Sequence, residues 1–402
     1  MWDLAILDST PMQAPIVIVG GGVMGAAAAC FLARDHGLPA VVLERDLRYT
    51  QASSALSASS IRQQFSTPIN IALSAWSIRF LRRLADELAL PGEPPPHIGL
   101  TEAGYLYLAT EAGVPAMRAQ HTLQQAQGAE VLLLTPAELQ ARFPWLNTEC
   151  IALGSLGVRG EGWFDGPALH QAFKRKAVAC GARFVQADAV DFEHDGQGTV
   201  TAVRCADGQR IAAGRSVLLS AGAWSAPLAA RLGVALPVSG KKRDVFVVDS
   251  PATLADCPLV IDPSGFWFRP EGRGFLCGAP PRGDDADDLP LEGIDHAQFD
   301  EQLWPAMAER VPAFEALRVR SAWAGYYEMN AFDHNGLAGA LPGWSNVFTA
   351  CGFSGHGMQQ APAVGSAMAA LMAGGFSDAP SLAPLSPARL FGGQPLVETN
   401  VI

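Results

Sequence analysis

Residues 15–45 constrain the fold more than any other part of the chain. The apolar run 16–19 predicts a buried strand, and Gly20, Gly22 and Gly25 form the pattern GxGxxG directly after it. An Ala-rich helix follows, and residues 40–43 predict a second strand that ends in Glu44. These parts in this order make a complete βαβ unit, which predicts a doubly wound sheet with a dinucleotide at its first turn.

Each residue type in this unit has a physical role in binding such a ligand. Gly20 allows the tight turn, Gly22 lets the backbone approach a pyrophosphate, and Gly25 lets the helix pack closely on the sheet. The N-terminus of the helix offers free N–H groups to the phosphates. Glu44 would accept hydrogen bonds from ribose hydroxyls and repel a phosphorylated ribose, which favours FAD or NAD over NADP. The unit alone does not separate FAD from NAD.

The bulk composition favours a large α/β enzyme. A chain of 402 residues, 49% hydrophobic and 17% charged, predicts two domains or one discontinuous pair. The net charge of −11 argues against nucleic acid or an anionic membrane surface as a partner. The most apolar stretches are interrupted by glycine or proline and are shorter than a membrane span. We therefore expect no integral membrane segment.

Cysteine usage and the N-terminal residues predict a cytoplasmic location. The seven cysteines are scattered and form no CxxC pair, which is typical of buried thiols rather than of disulfides or a metal site. The chain start lacks the basic residues and apolar core of a signal peptide. We interpret the acidic run Asp284, Asp285, Asp287 and Asp288 as a solvated loop, because the spacing of a calcium loop is missing. No metal is expected.

Three later stretches return to the predicted ligand. The Ser-rich loop after Glu44 favours a cofactor or substrate loop, with a solvated linker as the alternative. Three strands are predicted in ARFVQADAVDFE, TVTAVRC and QRIAAGRSVLLSAGAW, and the last of them ends in a glycine turn. The strand 347–350 leads through CGFSGHGM into a long helix, so a second helix N-terminus points out of the sheet.

These motifs together resemble the FAD-dependent D-amino acid oxidase and sarcosine dehydrogenase superfamily. Within it, the chain is most similar to the FAD-dependent oxidoreductases related to the mitochondrial complex I assembly oxidoreductase. The resemblance implies an α/β fold with a discontinuous Rossmann-like FAD-binding domain and an α+β substrate domain, whose mixed sheet lies over the flavin. The FAD-binding domain would comprise residues 12–90, 155–236 and 324–402, and the substrate domain residues 91–154 and 237–323. The resemblance is carried by GGGVMG, SSALSASSIRQQF, AGAW, WAGYYEMNAFDHNGLAG, GFSGHGMQQAPAVG and the ending GGQPLVETNVI.

The resemblance also implies which residues bind noncovalent FAD. No cysteine or histidine stands at the family's covalent flavin positions. The phosphate turn would hold the pyrophosphate, the loop serines would wrap the cofactor, and the second helix N-terminus would lie under the pyrimidine end of the flavin. The implied residues are Gly20, Gly22, Val23, Met24, Gly25, Glu44, Arg45, Ser53, Ser54, Ser57, Ser59, Val190, Ala221, Gly222, Trp224, Gly352, Gly355, His356, Gly357 and Met358.

The implied reaction is the oxidation of an amine or amino acid by hydride transfer from the carbon next to nitrogen to flavin N5, after which water hydrolyses the imine. A cation would anchor a substrate carboxylate. The candidates are Arg62 and the run Lys241, Lys242 and Arg243, of which we select Lys242 beside Arg62. A surface pair flanking a strand is the alternative for the lysines.

Two tyrosines and a histidine complete the predicted catalytic set. Tyr326 and Tyr327 stand where related amino-acid oxidases often carry an arginine, which makes a secondary amine more plausible; ordinary core packing is their alternative. His356 would contact flavin or substrate, or cap a helix.

Three questions stay open at the level of sequence. The electron acceptor is oxygen, a quinone or a carrier protein, because the lysine of monomeric sarcosine oxidases is missing. The alternatives for function are an FAD-dependent 2-hydroxy acid dehydrogenase and an FAD-binding assembly factor with little turnover. The oligomeric state has no signal in the sequence.

Overall fold

The computed structural model describes residues 15–283 and 285–401. Residues 1–14, Asp284 and Ile402 lie outside the described residues, and with them the stretch on which the absence of a signal peptide was predicted. In chain order the strands are β1 (Ile16–Val19), β2 (Ala40–Glu44), β3 (Ser60–Ile61), β4 (Tyr105–Ala109), β5 (Val131–Leu134), β6 (Leu153–Gly157), β7 (Gly162–Trp163), β8 (Arg183–Gln186), β9 (Ala189–His194), β10 (Val200–Cys205), β11 (Arg210–Ala212), β12 (Ser216–Leu219), β13 (Val238–Asp249), β14 (Leu259–Ile261), β15 (Trp267–Glu271), β16 (Gly274–Gly278), β17 (Arg318–Asn330), β18 (Leu337–Ala340) and β19 (Val347–Cys351).

The helices alternate with these strands in the first part of the chain and separate groups of strands later. They are α1 (Val23–His36), α2 (Ser53–Leu56), α3 (Pro68–Arg82), α4 (Leu84–Glu87), α5 (Val114–Ala126), α6 (Pro136–Arg142), α7 (Gly166–Ala179), α8 (Ser225–Arg231), α9 (His296–Gln298), α10 (Trp304–Arg310), α11 (Gly357–Ala373) and α12 (Arg389–Gly392), with a π-helical stretch at Phe299–Leu303 between α9 and α10. No helix of the described ranges combines the length and the apolar character that a bilayer crossing requires.

A six-stranded sheet in the order β18-β19-β12-β1-β2-β8 forms the first half of the fold. Five of its strands run parallel, and only β18 is antiparallel, to β19. All four residues of β1 are buried, as a central parallel strand covered on both faces requires. The predicted doubly wound sheet is confirmed.

Helices α1, α3, α7 and α11 cover one face of this sheet, and β9–β11 with α8 cover the other. Helix α1 contacts α11 closely: a Cβ on Gly365 would lie 2.5 Å from the Cβ of Ala27. The glycine thus permits an approach that any larger residue would prevent. The two helices form one tightly packed pair on the same face of the sheet.

An eight-stranded mixed sheet, β17-β13-β16-β15-β14-β4-β6-β5, forms the second half. Its long strands β13 and β17 pair antiparallel from Val238–Asn330 to Asp249–Arg318. One face packs on α6, α10 and the segment around Phe314 in a separate apolar core. The other face carries Tyr105, Leu259 and Ile261. The predicted mixed sheet is confirmed, and the exact division of the chain at residues 90, 154, 236 and 323 stays a prediction.

The acidic run lies in a loop whose described residues Asp287 and Asp288 are exposed, as predicted, but the loop is held against β13. Asp287 forms a bridge to Lys241 of β13, the Asp288 N–H donates to the carbonyl oxygen of Gly240, and the Gly240 N–H donates to the Asp288 carboxylate. Asp285 forms a bidentate ion pair with Arg243, with both N···O distances 2.8 Å. The loop therefore lies along the first half of β13, where its carboxylates meet the cationic side chains of that strand. In the described ranges no group of acidic, histidine or cysteine side chains could hold a metal ion.

Two of the three strands predicted between residues 182 and 224 are each divided. ARFVQADAVDFE forms β8 in the six-stranded sheet and β9 in a separate three-stranded antiparallel sheet with β10 and β11. QRIAAGRSVLLSAGAW likewise forms β11 and β12. The break between β8 and β9 leaves the backbone donor of Ala187 paired, because its N–H donates to the carbonyl oxygen of Glu44 where the chain leaves the sheet.

Candidate functional site

A cavity of about 650 Å³ lies where residues of the two large sheets meet. A volume of this size is typical of a site that encloses a small molecule or cofactor. The carboxyl ends of β1, β2 and β12 contribute to it from below, which is where doubly wound sheets bind ligands. Residues of β4, β13, β14 and β17 contribute from above.

The phosphate turn forms one end of the cavity floor. Gly20 has φ of +97°, and a Cβ there would lie 2.4 Å from the carbonyl oxygen of Ser220. Gly25 lies against the turn itself, because its Cβ would be 2.0 Å from the Gly20 oxygen. Gly22 lines the cavity, where a Cβ would approach Ser54 Oγ to 3.1 Å. The three glycines thus have the predicted separate geometries, and Gly25 supports the turn rather than lining the cavity.

The first turn of α1 faces the cavity with its N–H groups. Val23 and Met24 line it, and no side chain of the N-cap residue Gly22 occupies the helix end. The Val23 N–H donates to Ser54 Oγ at 2.8 Å, which ties the Ser-rich loop to the phosphate turn. A helix N-terminus whose N-cap residue provides no side-chain cap is a ready anion-binding site.

Glu44 and Arg45 form the outer end of the cavity. Glu44 accepts hydrogen bonds from the N–H groups of Gly21 at 2.9 Å and Asp46 at 3.0 Å. The Arg45 guanidinium lies 3.6 Å from the centroid of the Trp224 ring, a cation–π contact. Both side chains line the cavity, so a cation and an aromatic plane stand together where the adenine end was expected.

Tyr49 is a cavity residue that the sequence analysis did not identify. Its side chain is buried, and its Oη has no hydrogen-bond partner among the described residues. The ring packs edge-on against His170, whose Nε2 is 2.8 Å from the Gly21 carbonyl oxygen. A buried hydroxyl without a partner costs free energy unless a ligand satisfies it. Tyr49 has φ of +59°, and no pattern in the sequence predicts this conformation for a residue other than glycine.

The N-terminus of α11 forms the other end of the floor. Gly355, Gly357 and Met358 line the cavity, and α11 has no side-chain cap. Gly355 has φ of +90°, and a Cβ there would lie 2.4 Å from the Tyr327 ring. Gly352, with φ of +71°, shapes the turn outside the cavity lining of the described residues, since its Cβ would meet Val238.

Arg62 is a buried cation in the cavity wall. Its guanidinium lies 4.3 Å from the Phe65 ring centroid and donates from Nη2 to the carbonyl oxygen of Asn400. Its Nε is buried without a hydrogen-bond partner, and no ion pair of the described residues includes it. The Arg62 N–H is fixed by Gln359 Oε1 at 2.8 Å. The predicted cofactor-or-substrate loop thus places at the cavity a cation without a contact ion pair among the described residues, although the carboxyl group of Glu398 lies within electrostatic range.

The other predicted cation, Lys242, does not reach the cavity lining that the described residues form. Its Nζ donates to the carbonyl oxygen of Gly293 at 2.7 Å. Arg243, the next residue, does line the cavity, but Asp285 already neutralises it. The physical reason is the period of two along β13, which directs neighbouring side chains to opposite faces.

Aromatic and aliphatic side chains form the roof of the cavity. Tyr105, Leu259 and Trp267 belong to the eight-stranded sheet, and Tyr327 faces Arg62 from β17. Burial raises the pKa of both Tyr105 and Tyr327, so these phenols are neutral at physiological pH. Tyr105 and its stacked neighbour Tyr107 were not predicted, because the sequence does not show which face of β4 meets the cavity.

The predicted tyrosine pair is divided between two environments. Tyr327 is buried beside Arg62 and Arg243. Tyr326 packs edge-on against Trp224 and donates its hydroxyl to the Leu289 carbonyl oxygen at 2.6 Å. Tyr326 therefore lines the cavity on the Trp224 side.

His356 lies behind the cavity rather than in its lining. Its ring packs edge-on against Phe65 at 5.3 Å and Phe353 at 6.5 Å, and neither ring nitrogen has a partner among the described residues. Burial, aided by the nearby charge of Arg62, lowers the pKa of His356 to about 3. The imidazole is thus neutral and sits at the N-cap position of α11.

Most of the residues predicted by resemblance lie around this one cavity. Outside its described lining are Gly25, Gly352, His356 and Lys242. Those that line it are Gly20, Gly22, Val23, Met24, Glu44, Arg45, Ser53, Ser54, Ser57, Ser59, Arg62, Val190, Ala221, Gly222, Trp224, Tyr326, Tyr327, Gly355, Gly357 and Met358.

The cavity residues fit an extended flavin dinucleotide. Two helix N-termini whose N-cap residues give no side-chain cap, at Val23 and Gly357, open into one cavity, and a third group, Tyr49 Oη, has no partner among the described residues. The two ends are joined by the Ser-rich loop and by Ala221 and Gly222. When bound, the pyrophosphate would lie at Gly22 and Val23, the adenosine near Glu44, and the flavin near α11 and Arg62.

Comparison with known proteins agrees with this fit. The family model described as FAD dependent oxidoreductase matches residues 15–371. The FAD-dependent oxidoreductase domain-containing protein 1 of Xenopus laevis is 40% identical over 98% of this chain and 86% of that protein.

Two solved structures share the fold over nearly the whole chain. The L-proline dehydrogenase from P. horikoshii has a TM-score of 0.83 at 24% identity and covers 96% of this chain and 100% of its own. The glycine oxidase from Geobacillus kaustophilus has a TM-score of 0.79 at 27% identity and covers 93% of this chain and 98% of its own. The first likeness concerns the fold alone.

Proposed function

The chain belongs to the family of FAD-dependent oxidoreductases, so FAD is its cofactor, and from this premise we propose that it oxidises a carboxylate-bearing amine. The substrate class is a secondary amine such as an N-methyl amino acid, or a D-amino acid. When bound, the flavin supplies the acceptor at N5 for a hydride from the carbon next to nitrogen, and water then hydrolyses the imine. The name of the similar glycine oxidase supports a substrate of this size and kind.

The observation that carries the proposal is the different state of Arg62 and Arg243, two of the arginines that line the cavity. Arg243 is paired bidentately with Asp285, whereas Arg62 has no carboxylate partner among the described residues. Glu398 acts on Arg62 only from a distance, and a buried guanidinium without a contacting carboxylate is costly, so a substrate carboxylate would complete its compensation. Arg62 is therefore the proposed anchor, and the prediction that Lys242 shares this role is withdrawn.

The cavity roof suits the amine end of such a substrate. Tyr105, Leu259, Trp267 and Tyr327 give an apolar, aromatic surface near Arg62. Low polarity disfavours the charged ammonium, so the substrate nitrogen keeps the lone pair that expels the hydride. The protein's part in the reaction is thus to anchor the carboxylate, orient the carbon–hydrogen bond and exclude water.

A hydroxy acid is a poorer substrate for this arrangement. Its oxidation requires a base for the hydroxyl proton. His356 lies outside the described cavity lining, and burial lowers its pKa to about 3, so it is a weak base. Tyr105 and Tyr327 are neutral phenols with raised pKa values.

The test is anaerobic mixing of the yellow protein with a panel of substrates while the flavin absorbance is followed. We expect bleaching by N-methyl or D-amino acids, and little by their carboxamides or by 2-hydroxy acids. Arg62→Ala should keep FAD and raise KM for the carboxylate substrate by about 10- to 100-fold, because a charge-assisted hydrogen bond contributes about 1.5–3 kcal/mol. Bleaching by no amine at all, in protein that holds FAD, would favour an assembly factor with little turnover.

Arg243→Ala is the matched control for the anchor. It removes a second cavity guanidinium, but one whose charge Asp285 already satisfies. It should change KM for a carboxylate substrate much less than Arg62→Ala does. Equal effects of the two variants, or equal effects of Arg62→Ala on the carboxylate and the carboxamide, contradict the assignment.

Three remaining features belong to the same proposal. FAD is held without a covalent bond, electrons pass to oxygen, a quinone or a carrier protein, and the protein is cytoplasmic. Denaturation with trichloroacetic acid should release all flavin into the supernatant; flavin in the pellet would show a covalent link.

A further inference from the structure

Glu328 is a half-buried carboxyl in the cavity wall that the sequence analysis did not single out. It lies on β17, and its two carboxyl oxygens point between the ends of two other elements. A Cβ on Gly222, after β12, would lie 3.6 Å from Oε2, and a Cβ on Gly357, the first residue of α11, would lie 3.3 Å from Oε1. A carboxyl from the upper sheet thus reaches into the lower, cofactor-binding part of the cavity.

The surroundings of Glu328 offer hydrogen bonds but no positive charge. Oε1 accepts the Phe353 N–H at 3.3 Å, and the N–H of Gly352 is also close. No ion pair of the described residues includes Glu328. Burial raises the pKa of Glu328 to about 7, and the two N–H groups oppose this rise only in part.

The other groups that face Glu328 do not titrate near neutral pH. Cys351 on β19 is within electrostatic range, and burial raises the pKa of its thiol to about 12. On β13 the residue opposite is Gly240, which has no side chain. Residues 222–224 after β12 and the first turn of α11 carry no charged side chain. The charge at this wall is therefore set by Glu328 alone.

Glu44 shows the contrast. Like Glu328 it is partly buried, but it accepts two backbone N–H groups at 2.9 and 3.0 Å at the outer end of the cavity, where an ionised carboxylate can meet ribose hydroxyls. Glu328 lies inside with one longer hydrogen bond of 3.3 Å, and its pKa is raised although the adjacent N-terminus of α11 favours an anion. Because FAD brings the two negative charges of its pyrophosphate into the same cavity, a second buried negative charge there is unfavourable.

We propose that Glu328 contacts FAD directly and does so as a neutral carboxylic acid, donating a hydrogen bond to an acceptor atom of the cofactor. Binding of FAD above neutral pH then includes the uptake of one proton from solvent by Glu328. The proton is the only species that is exchanged, and no bond of the cofactor changes. FAD affinity consequently depends on pH through this one side chain.

The test is the dissociation constant of FAD for the apoprotein between pH 6.5 and 9, followed by quenching of flavin fluorescence. In the wild type, affinity should weaken as pH rises above about 7 and approach a tenfold loss per pH unit. Glu328→Gln keeps the size and a donor group but cannot ionise, so its affinity should be nearly constant and should exceed that of the wild type at pH 9. If the FAD affinity of Glu328→Gln falls with pH as steeply as that of the wild type, the proposal is overturned. A wild-type FAD affinity that does not change with pH overturns it as well.

Glu161→Gln is the matched control. Glu161 is a buried carboxyl whose pKa is likewise raised by burial to about 7, but it lies outside the described cavity lining. The Glu161→Gln protein should keep the pH dependence of the wild type. Loss of that dependence in the control would assign it to the general effect of buried carboxyls and not to a contact with FAD.

A measurement on the wild type avoids reliance on any variant that fails to fold. Calorimetric titration of FAD into apoprotein near pH 8, in two buffers of different ionisation enthalpy, gives the number of protons taken up. We expect a value close to one proton per FAD. Zero uptake contradicts the protonated contact whether or not Glu328→Gln folds.

Discussion

Replacement of Glu161 by glutamine should remove a pH-dependent contribution to the stability of the protein, and the structure gives its size. Glu161 is 1% exposed; Oε1 accepts the Gln63 N–H and Oε2 accepts Gln64 Nε2, both at 2.8 Å. The carboxyl fits only because residue 157 is glycine, where a Cβ would lie 1.9 Å from Oε2. Burial raises the pKa of Glu161 from 4.5 to about 7, against the hydrogen bonds from Gln64 and Gln63 and the charge of Arg62.

The sign follows from the linkage between protonation and folding. The folded state holds the proton more tightly than the unfolded state, so the contribution of Glu161 to stability is complete below pH 4.5 and is lost as pH rises to about 7. Each pH unit in that window removes about 1.4 kcal/mol, or about 3 kcal/mol in all. Glutamine does not ionise and loses one hydrogen bond, which costs about 1 kcal/mol at every pH.

The assay is urea unfolding of the apoprotein at pH 5 and pH 8. The free energy of unfolding of Glu161→Gln, relative to the wild type, should rise by about 2–3 kcal/mol between the two pH values. The absolute sign at either pH is less informative than this difference, since the lost hydrogen bond affects both equally. A relative stability that is the same at pH 5 and pH 8 would refute the assignment of Glu161 as a carboxyl held protonated by burial.

Two further predictions concern the cofactor end of the cavity. Gly25→Ala places a Cβ 2.0 Å from the Gly20 oxygen, so α1 must shift. We expect a loss of about 1–3 kcal/mol in the free energy of unfolding and colourless protein, measured by thermal unfolding and by the visible spectrum. The control Gly392→Ala, whose Cβ meets no atom within 4 Å, should change neither. Tyr49→Phe removes the unpartnered hydroxyl and should weaken FAD binding about fivefold, as measured by fluorescence titration. The stability of the apoprotein should stay unchanged or rise. Unchanged FAD affinity would show that Tyr49 Oη does not contact the cofactor.

The sequence predicted the parts of the fold that local patterns determine. The βαβ unit and the strand leading into α11 are found at the expected residues, because glycine turns and apolar periodicity act over short distances. The division of residues 182–193 between β8 and β9 was missed. Both halves have strand-like composition, and the choice of sheet depends on partners far along the chain.

The site was predicted unevenly for a similar reason. Residues on glycine turns and helix N-termini, such as Gly22 and Gly357, carry their geometry in their own sequence. Which of Lys242 and Arg243 reaches the cavity depends on the register of β13 against β17, and a shift of one residue would exchange them. Glu328 was invisible to sequence reasoning because its importance comes from burial and from the two glycines it meets.

The close contact of Gly365 with Ala27 has a consequence for the choice of cofactor. It fixes α1 against α11, and each helix presents its N-terminus to the same cavity. The distance between the two N-termini is therefore a fixed length set by the protein's core, and a ligand is selected by its ability to span it. FMN, which lacks the adenosine monophosphate half, could reach only one helix end. The helix pair thus discriminates between flavins by length, in addition to the contacts that Glu44 and Arg45 would offer to the adenosine half.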